Sequence, residues 1–151
     1  MFLNKDTFLT VIESTPLVSI DLIIENEHNE ILLGNRINEP AKGFWFVPGG
    51  RVRKNESLRS AFERLTVDEL GQTIEINDAK FFGAYDHFYS ENIFDNKCST
   101  HYVALGYRIF KTQNFFNSLP INKQHQNYKW VSVEQLIEDK NTHTYTKNYF
   151  R

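Results

Sequence analysis

The run Phe44-Trp45-Phe46-Val47-Pro48-Gly49-Gly50-Arg51, with Glu56 and then Glu63-Arg64-Leu65-Thr66-Val67-Asp68-Glu69-Leu70-Gly71 behind it, constrains this chain more than any other segment. Residues 44–47 read as a short aromatic strand, and Pro-Gly-Gly reads as a turn. Leu58, Ala61, Phe62 and Leu65 recur at helical spacing, and Gly71 stands where a helix C-terminal cap belongs. Leu65 and Glu69 are four residues apart and share the helix face that also carries Phe62. A strand, a tight turn and a helix bearing acid and base at fixed offsets make a compact cradle for a polar ligand.

The rest of the chain supplies a sheet. Asn4 to Glu13 predicts a helix, capped by Asn4 or Asp6 and stopped before Thr15-Pro16. Leu17 to Ile24 is a β-branched strand, turned by Glu27-His28-Asn29 into a second strand, Glu30 to Arg36. Asn38 to Gly43 is a loop. Further strands fall at Lys80–Phe88, Thr100–Lys111 and Tyr128–Val131, separated by a polar loop, Tyr89–Ser99, and a longer one, Thr112–Asn127. A short helix opens at Ser132 or Val133, and the tail to Arg151 is ambiguous. The order predicts an α/β fold, a mixed sheet flanked by helices, in one domain over residues 1–151.

Composition limits the partners. The formal charge of −2 leaves no reason to expect nucleic-acid or membrane binding. Cys98 is the single cysteine, so an internal disulfide is impossible and a reducing compartment is expected. No apolar run nears the roughly 20 residues of a membrane span, and Met1 to Asp6 lack the order of a signal peptide. The expectation is a soluble, cytoplasmic protein.

Gly50, Glu56, Arg64, Glu69 and Gly71 stand where the signature of the Nudix hydrolases has Gly, Glu, Arg, Glu and Gly. The chain resembles that superfamily, which implies an α/β/α sandwich whose loop-helix-loop holds a divalent metal against a diphosphate. Mg²⁺ takes hard oxygen ligands and keeps several waters. Glu69 is the expected ligand, with the Gly49 carbonyl as a second, and Glu56–Arg64 reads as a salt bridge fixing loop to helix. Two positions depart from the signature: Leu65 replaces a glutamate and cannot bind metal, and Asp68 is one methylene shorter than the usual residue.

The chain is most similar to one branch, the GDP-mannose mannosyl hydrolases, in Ser14-Thr15-Pro16-Leu17-Val18-Ser19, Phe46 to Val52, Ala61-Phe62-Glu63-Arg64-Leu65-Thr66, His87-Phe88-Tyr89, Thr100-His101-Tyr102-Val103 and Gln124-His125. Leu65 belongs to that branch pattern. The resemblance implies attack by water on the sugar carbon, with Gln124 completing the metal site and His125 as general base. It makes Arg36, Arg51 and Tyr102 the groups that stabilise departing GDP, and Asp21 and His87 substrate contacts. It also implies one Mg²⁺ per subunit, with Mn²⁺ as a substitute, a homodimer, and a place in nucleotide-sugar supply for surface polysaccharide.

The residues permit simpler readings beside these. His125 could be a solvated loop histidine, Arg36 and Arg51 surface ion pairs, and Asp21 a structural acceptor. Phe2, Leu3 and Phe8 serve either a partner's nucleotide site or the core. His101 alternates with Val103, Leu105, Tyr107 and Ile109, which predicts an inward, structural histidine. Two other functions stay in play: a pyrophosphatase giving GMP and sugar 1-phosphate, and a non-catalytic nucleotide-sugar-binding regulator. Leu65 and the Gln124-His125 pair weigh against the first, and Glu69 together with His125 against the second.

Overall fold

A computed structural model describes residues 3–37, 41–90, 98–120 and 125–151, with positions 125 and 126 described by backbone alone. Phe2, Gln124, the side chain of His125, and parts of the 38–43 and 89–99 loops therefore lie outside the described residues.

Two layers of helix enclose a seven-stranded sheet. The strands are β1 (Leu17–Glu25), β2 (Glu30–Arg36), β3 (Trp45–Phe46), β4 (Gly49–Arg51), β5 (Lys80–Tyr89), β6 (Thr100–Phe110) and β7 (His125–Ser132). The order is β3-β2-β1-β6-β5, with β4 beside β1 and β7 beside β2; β1 and β6 run parallel and the other pairs antiparallel. On one face lies α2 (Leu58–Leu70), burying Ala61, Phe62, Leu65 and Leu70 against Ile20, Leu22, Ile24 and Tyr107. On the other, Leu136 of α3 (Val133–Glu138) and Tyr149 of the tail pack on Ile23, Ile31, Leu33 and Val47. Alternate residues of β1 thus feed opposite cores, as strand geometry requires.

Local chemistry accounts for the helix ends. Asn4 caps α1 (Lys5–Ser14) by accepting from the Thr7 amide at 2.9 Å. Ser57 caps α2 from the Ser60 amide, and Gly71 ends it at φ +77°, with its N–H on the Val67 carbonyl. Ser132 and Gln135 form a capping box at α3.

The sheet forks at its centre. Beyond Glu25↔Ile31, β1 and β2 separate, and β3 pairs with β2 while β4 pairs with β1. Pro48 sits in the fork, its carbonyl accepting from the Leu22 amide at 2.8 Å. Gly49-Gly50 is therefore a strand rather than the turn its composition predicts, because β1 offers it a ladder. Both glycines are close-approach residues: a Cβ on Gly49 would lie 2.2 Å from the Ile20 carbonyl oxygen, and one on Gly50 2.6 Å from Leu65 Cδ2.

Three other expectations change. The long 112–127 loop contains a 3₁₀ segment, Gln113–Ser118, and β7 begins at His125, which places that residue in a strand and not a loop. Polar residues 125–127 carry no strand pattern; pairing with β2 draws them in. The ambiguous tail forms α4 (Thr144–Lys147) and a 3₁₀ turn, Asn148–Phe150, that buries Tyr149. His101 lies at the start of β6, beyond the reach of the core; its Nε2 is 3.1 Å from Asp86 Oδ1 and its side chain is about a third exposed.

Candidate active site

The fork brings together residues from six strands. Asp21 lies opposite Gly49 across β1–β4 and opposite Gly106 across β1–β6. Arg36 ends β2 opposite the backbone of His125, after a register shift from Gly34. Tyr102 faces His87 across β5–β6. Arg51 lies two residues beyond Gly49.

Asp21 carries the unusual electrostatics. Burial pushes its carboxyl up from 3.8 to about 6, and a hydrogen bond from the Tyr149 hydroxyl and the charge of Arg36 pull the other way. Tyr149 donates to Asp21 Oδ2 at 2.5 Å. Burial also raises Tyr102, opposed by the charges of Arg36 and Arg51. The phenol therefore stays protonated near neutrality and can donate to an anionic oxygen. Arg36 stands with Cζ 5.4 Å from the Phe46 ring centroid, and Arg51 with Cζ 5.0 Å from that of Phe8. Phe8 thus covers an arginine of its own subunit, and Leu3 is half-buried near the start of the same helix.

His87 is buried, and burial holds its imidazole down at about 4, so the ring is neutral at physiological pH. It stacks on Tyr145 at 4.4 Å, and its Nε2 has no hydrogen-bond partner among the described residues.

At the other end of the fork, Glu69 is 4% exposed on the face of α2 that packs towards β4. Its backbone carbonyl accepts from the Tyr128 hydroxyl at 3.0 Å, which ties the end of α2 to β7. Leu65, one turn earlier, is buried against Gly50 and belongs to the core. Asp68 is exposed and pairs with Arg64 at 3.5 Å, so it faces away from Glu69. Among the described residues no group of three His, Cys, Asp or Glu side chains is placed to hold a metal. One buried carboxylate, a turn of α2 beyond the leucine that packs on Gly50, still fits a hard cation that keeps most of its water.

The loop-to-helix pair forms as expected. Arg64 donates from Nε to Glu56 Oε2 at 2.6 Å and from Nη2 to Glu56 Oε1 and the Arg51 carbonyl, both at 2.9 Å. Glu56 Oε1 also accepts from the Arg53 amide at 2.9 Å. The Arg64 hydrogen bonds hold Glu56 down from 4.5 to about 2. A depressed folded-state value means stabilisation that is complete above about 4.5 and lost as pH falls towards 2. Glu56→Gln should therefore destabilise the fold by about 1–3 kcal/mol at pH 7. Denaturant unfolding at pH 7 and pH 3 should show that gap narrowing in acid; a gap that stays constant contradicts the pairing.

Sequence reasoning missed Tyr149, Tyr145 and Tyr89. Tyr145 and Tyr149 are four residues apart, a helical spacing that was legible, but a four-residue helix leaves no periodic signal. Tyr89 shares the face of His87 at i+2, and its phenol is raised by burial and by the charge of Asp21.

The layered sheet, the fork and the loop-helix cradle define a Nudix fold. A MutT protein from Methanosarcina mazei superposes with a TM-score of 0.72 over 91% of this chain and 92% of that one, at 23% identity. The NUDIX domain family model matches residues 15–151, so this chain belongs to the NUDIX family, a family of hydrolases. It is similar to the low-salt glycan biosynthesis protein Agl8 of Haloferax volcanii, 38% identical over 82% of this chain and 76% of that protein. It is also similar to the nucleoside triphosphatase NudI of Escherichia coli, 27% identical over 63% of this chain and 66% of that protein. Among the described residues no helix is long and apolar enough to cross a membrane.

Proposed function

We propose that the protein hydrolyses GDP-mannose, or a related GDP-hexose, to GDP and free sugar by attack of water at the sugar C1. The observation that carries this reading is the burial of Leu65 against Gly50 where the signature has a carboxylate. Attack at phosphorus relies on several carboxylates to hold metals and activate water. A helix with one buried carboxylate suits a smaller task, steadying a diphosphate as it leaves. The similarity to a glycan biosynthesis protein supports a sugar-containing substrate.

Each residue then has a defined part. Glu69, the Gly49 carbonyl and Gln124 would hold Mg²⁺, with Mn²⁺ as a substitute. The bound ion would neutralise charge on the diphosphate. Arg36 and Arg51 fork onto the same oxygens. Tyr102, kept protonated by burial, donates to the leaving group. Asp21 and neutral His87 bind sugar hydroxyls. His125, whose backbone lies opposite Arg36, takes the proton of the attacking water. One displacement inverts the anomeric centre and gives β-mannose from the α-linked donor. The protein acts as a cytoplasmic homodimer, with Phe2 and Leu3 at the partner's nucleotide site, while Phe8 covers Arg51 within its own subunit.

The similarity to a nucleoside triphosphatase favours the second reading, cleavage at phosphorus to GMP and mannose 1-phosphate. Hydrolysis in ¹⁸O-water separates the two. The expected result is label in the sugar, none in GDP, and β-mannose in NMR spectra of fresh product. Label in a phosphate product moves the protein to the pyrophosphatases, and binding without products makes it a regulator.

A further inference from the structure

The C-terminal tail touches the fork at more points than packing alone requires. The Trp45 amide donates to the Asn141 carbonyl at 2.8 Å, and the His143 amide returns a bond to the Trp45 carbonyl at 3.0 Å. Thr146 Oγ1 accepts from the Val47 amide at 3.3 Å. These bonds tie the tail to the strand that leads into Gly49. His143 caps α4 through Nδ1, which sets the direction of Tyr145.

Two tyrosines then reach the polar groups of the site. Tyr149 is 4% exposed, and its ring meets Tyr85 edge-on at 4.6 Å and His87 at 6.2 Å. Its hydroxyl donates to Asp21 Oδ2. Space for the ring exists because the residue opposite Asp21 is Gly106, where a Cβ would lie 2.9 Å from Tyr149 Cε1. Tyr145 stacks flat on His87, with an interplanar angle of 10°. Its hydroxyl is held by the Phe88 amide at 2.8 Å and by the Phe88 carbonyl. That arrangement clamps the ring beside His87, while His87 Nε2 keeps no partner among the described residues. A tyrosine that only filled core would need some acceptor, but not a carboxylate of the site.

We propose that the tail forms the inner wall of the sugar subsite and that Tyr149 is a positioning residue acting through Asp21, an inference that rests on the function proposed above. By occupying Oδ2 it fixes the carboxylate plane and leaves Oδ1 to accept from a pyranose hydroxyl. Tyr145 fixes the His87 ring by stacking on it, with Nε2 left for the ligand. The ligand class is a hydroxyl-rich hexose on a nucleoside diphosphate, and the tail reads the hexose, not the nucleotide.

Tyr149→Phe keeps the ring and removes only the donor. Steady-state kinetics on GDP-mannose should show kcat/KM lowered roughly 10–100-fold, the span of a hydrogen bond to a charged group. Inhibition by GDP should change by less than about twofold. In an Asp21→Asn background the same substitution should cost nothing further, because the group it acts through is gone. Costs that add in the double variant, or equal losses for GDP and GDP-mannose, overturn the positioning role while leaving the proposed hydrolysis intact. If Tyr149→Phe alone fails to fold, the comparison of Asp21→Asn with the double variant, where no buried carboxylate is stranded, still decides it. Release of GMP and sugar phosphate by the wild type sinks the C1 reading, and the same cycle on that reaction still tests the tyrosine. No turnover of any GDP-hexose takes down both.

Discussion

Glu69→Gln should lower turnover by at least roughly 10²-fold, since several kcal/mol of charge stabilisation depend on a held divalent ion. The amide has the shape of the carboxylate but no charge, and a hard cation with few protein ligands feels that loss directly. The fold should survive. Glu69 is almost fully buried, and an uncharged side chain of equal size is easier to bury than a carboxylate. The measurement is turnover against Mg²⁺ concentration beside thermal unfolding. The expected pattern is an unchanged or higher midpoint, a weaker Mg²⁺ response and little activity at saturation. Full activity of the wild type in the presence of chelator would mean that Glu69 has another role.

The second large effect belongs to His125. His125→Gln should lower kcat by roughly 10²–10⁴-fold, the usual span for a positioned general base, with little change in Mg²⁺ affinity. Glutamine can keep a hydrogen bond to water but cannot take its proton at neutral pH. The acid limb of the rate profile should disappear with the imidazole, since that limb reports protonation of the base. His101→Gln serves as the control in a form the structure revises. Its solvent-exposed contact with Asp86 is of the kind worth about 0–1 kcal/mol, so both midpoint and kcat should stay near wild type. Near-normal kcat in a folded His125 variant would require a different base.

The cradle was legible because its signal is local. Gly71 closes a helix of regular period, and the Glu56–Arg64 pair follows from offsets within one loop and one helix. Strands β1 and β2 were legible for a similar reason: apolar alternation and a polar turn lie within twenty residues of one another. Even the alternation of β1, with Ile20, Leu22 and Ile24 on one face and Asp21 and Ile23 on the other, appears in the two separate cores. His101 followed the same alternation and still missed the core, because period says which face a residue takes and not how far the core extends under it.

Residue order by itself determined the helix, its glycine cap, the main strands and the absence of a carboxylate at Leu65. Each depends on spacing within a few residues, where backbone geometry leaves few choices. Tertiary structure alone decided that Gly49-Gly50 pairs with β1, that His125 enters a strand opposite Arg36, and that Tyr149 reaches Asp21 from 128 positions away. Those outcomes depend on which strand offers a free ladder edge and which glycine leaves room for a ring. Such facts come into being only when distant segments meet, so no local pattern along the chain carries them.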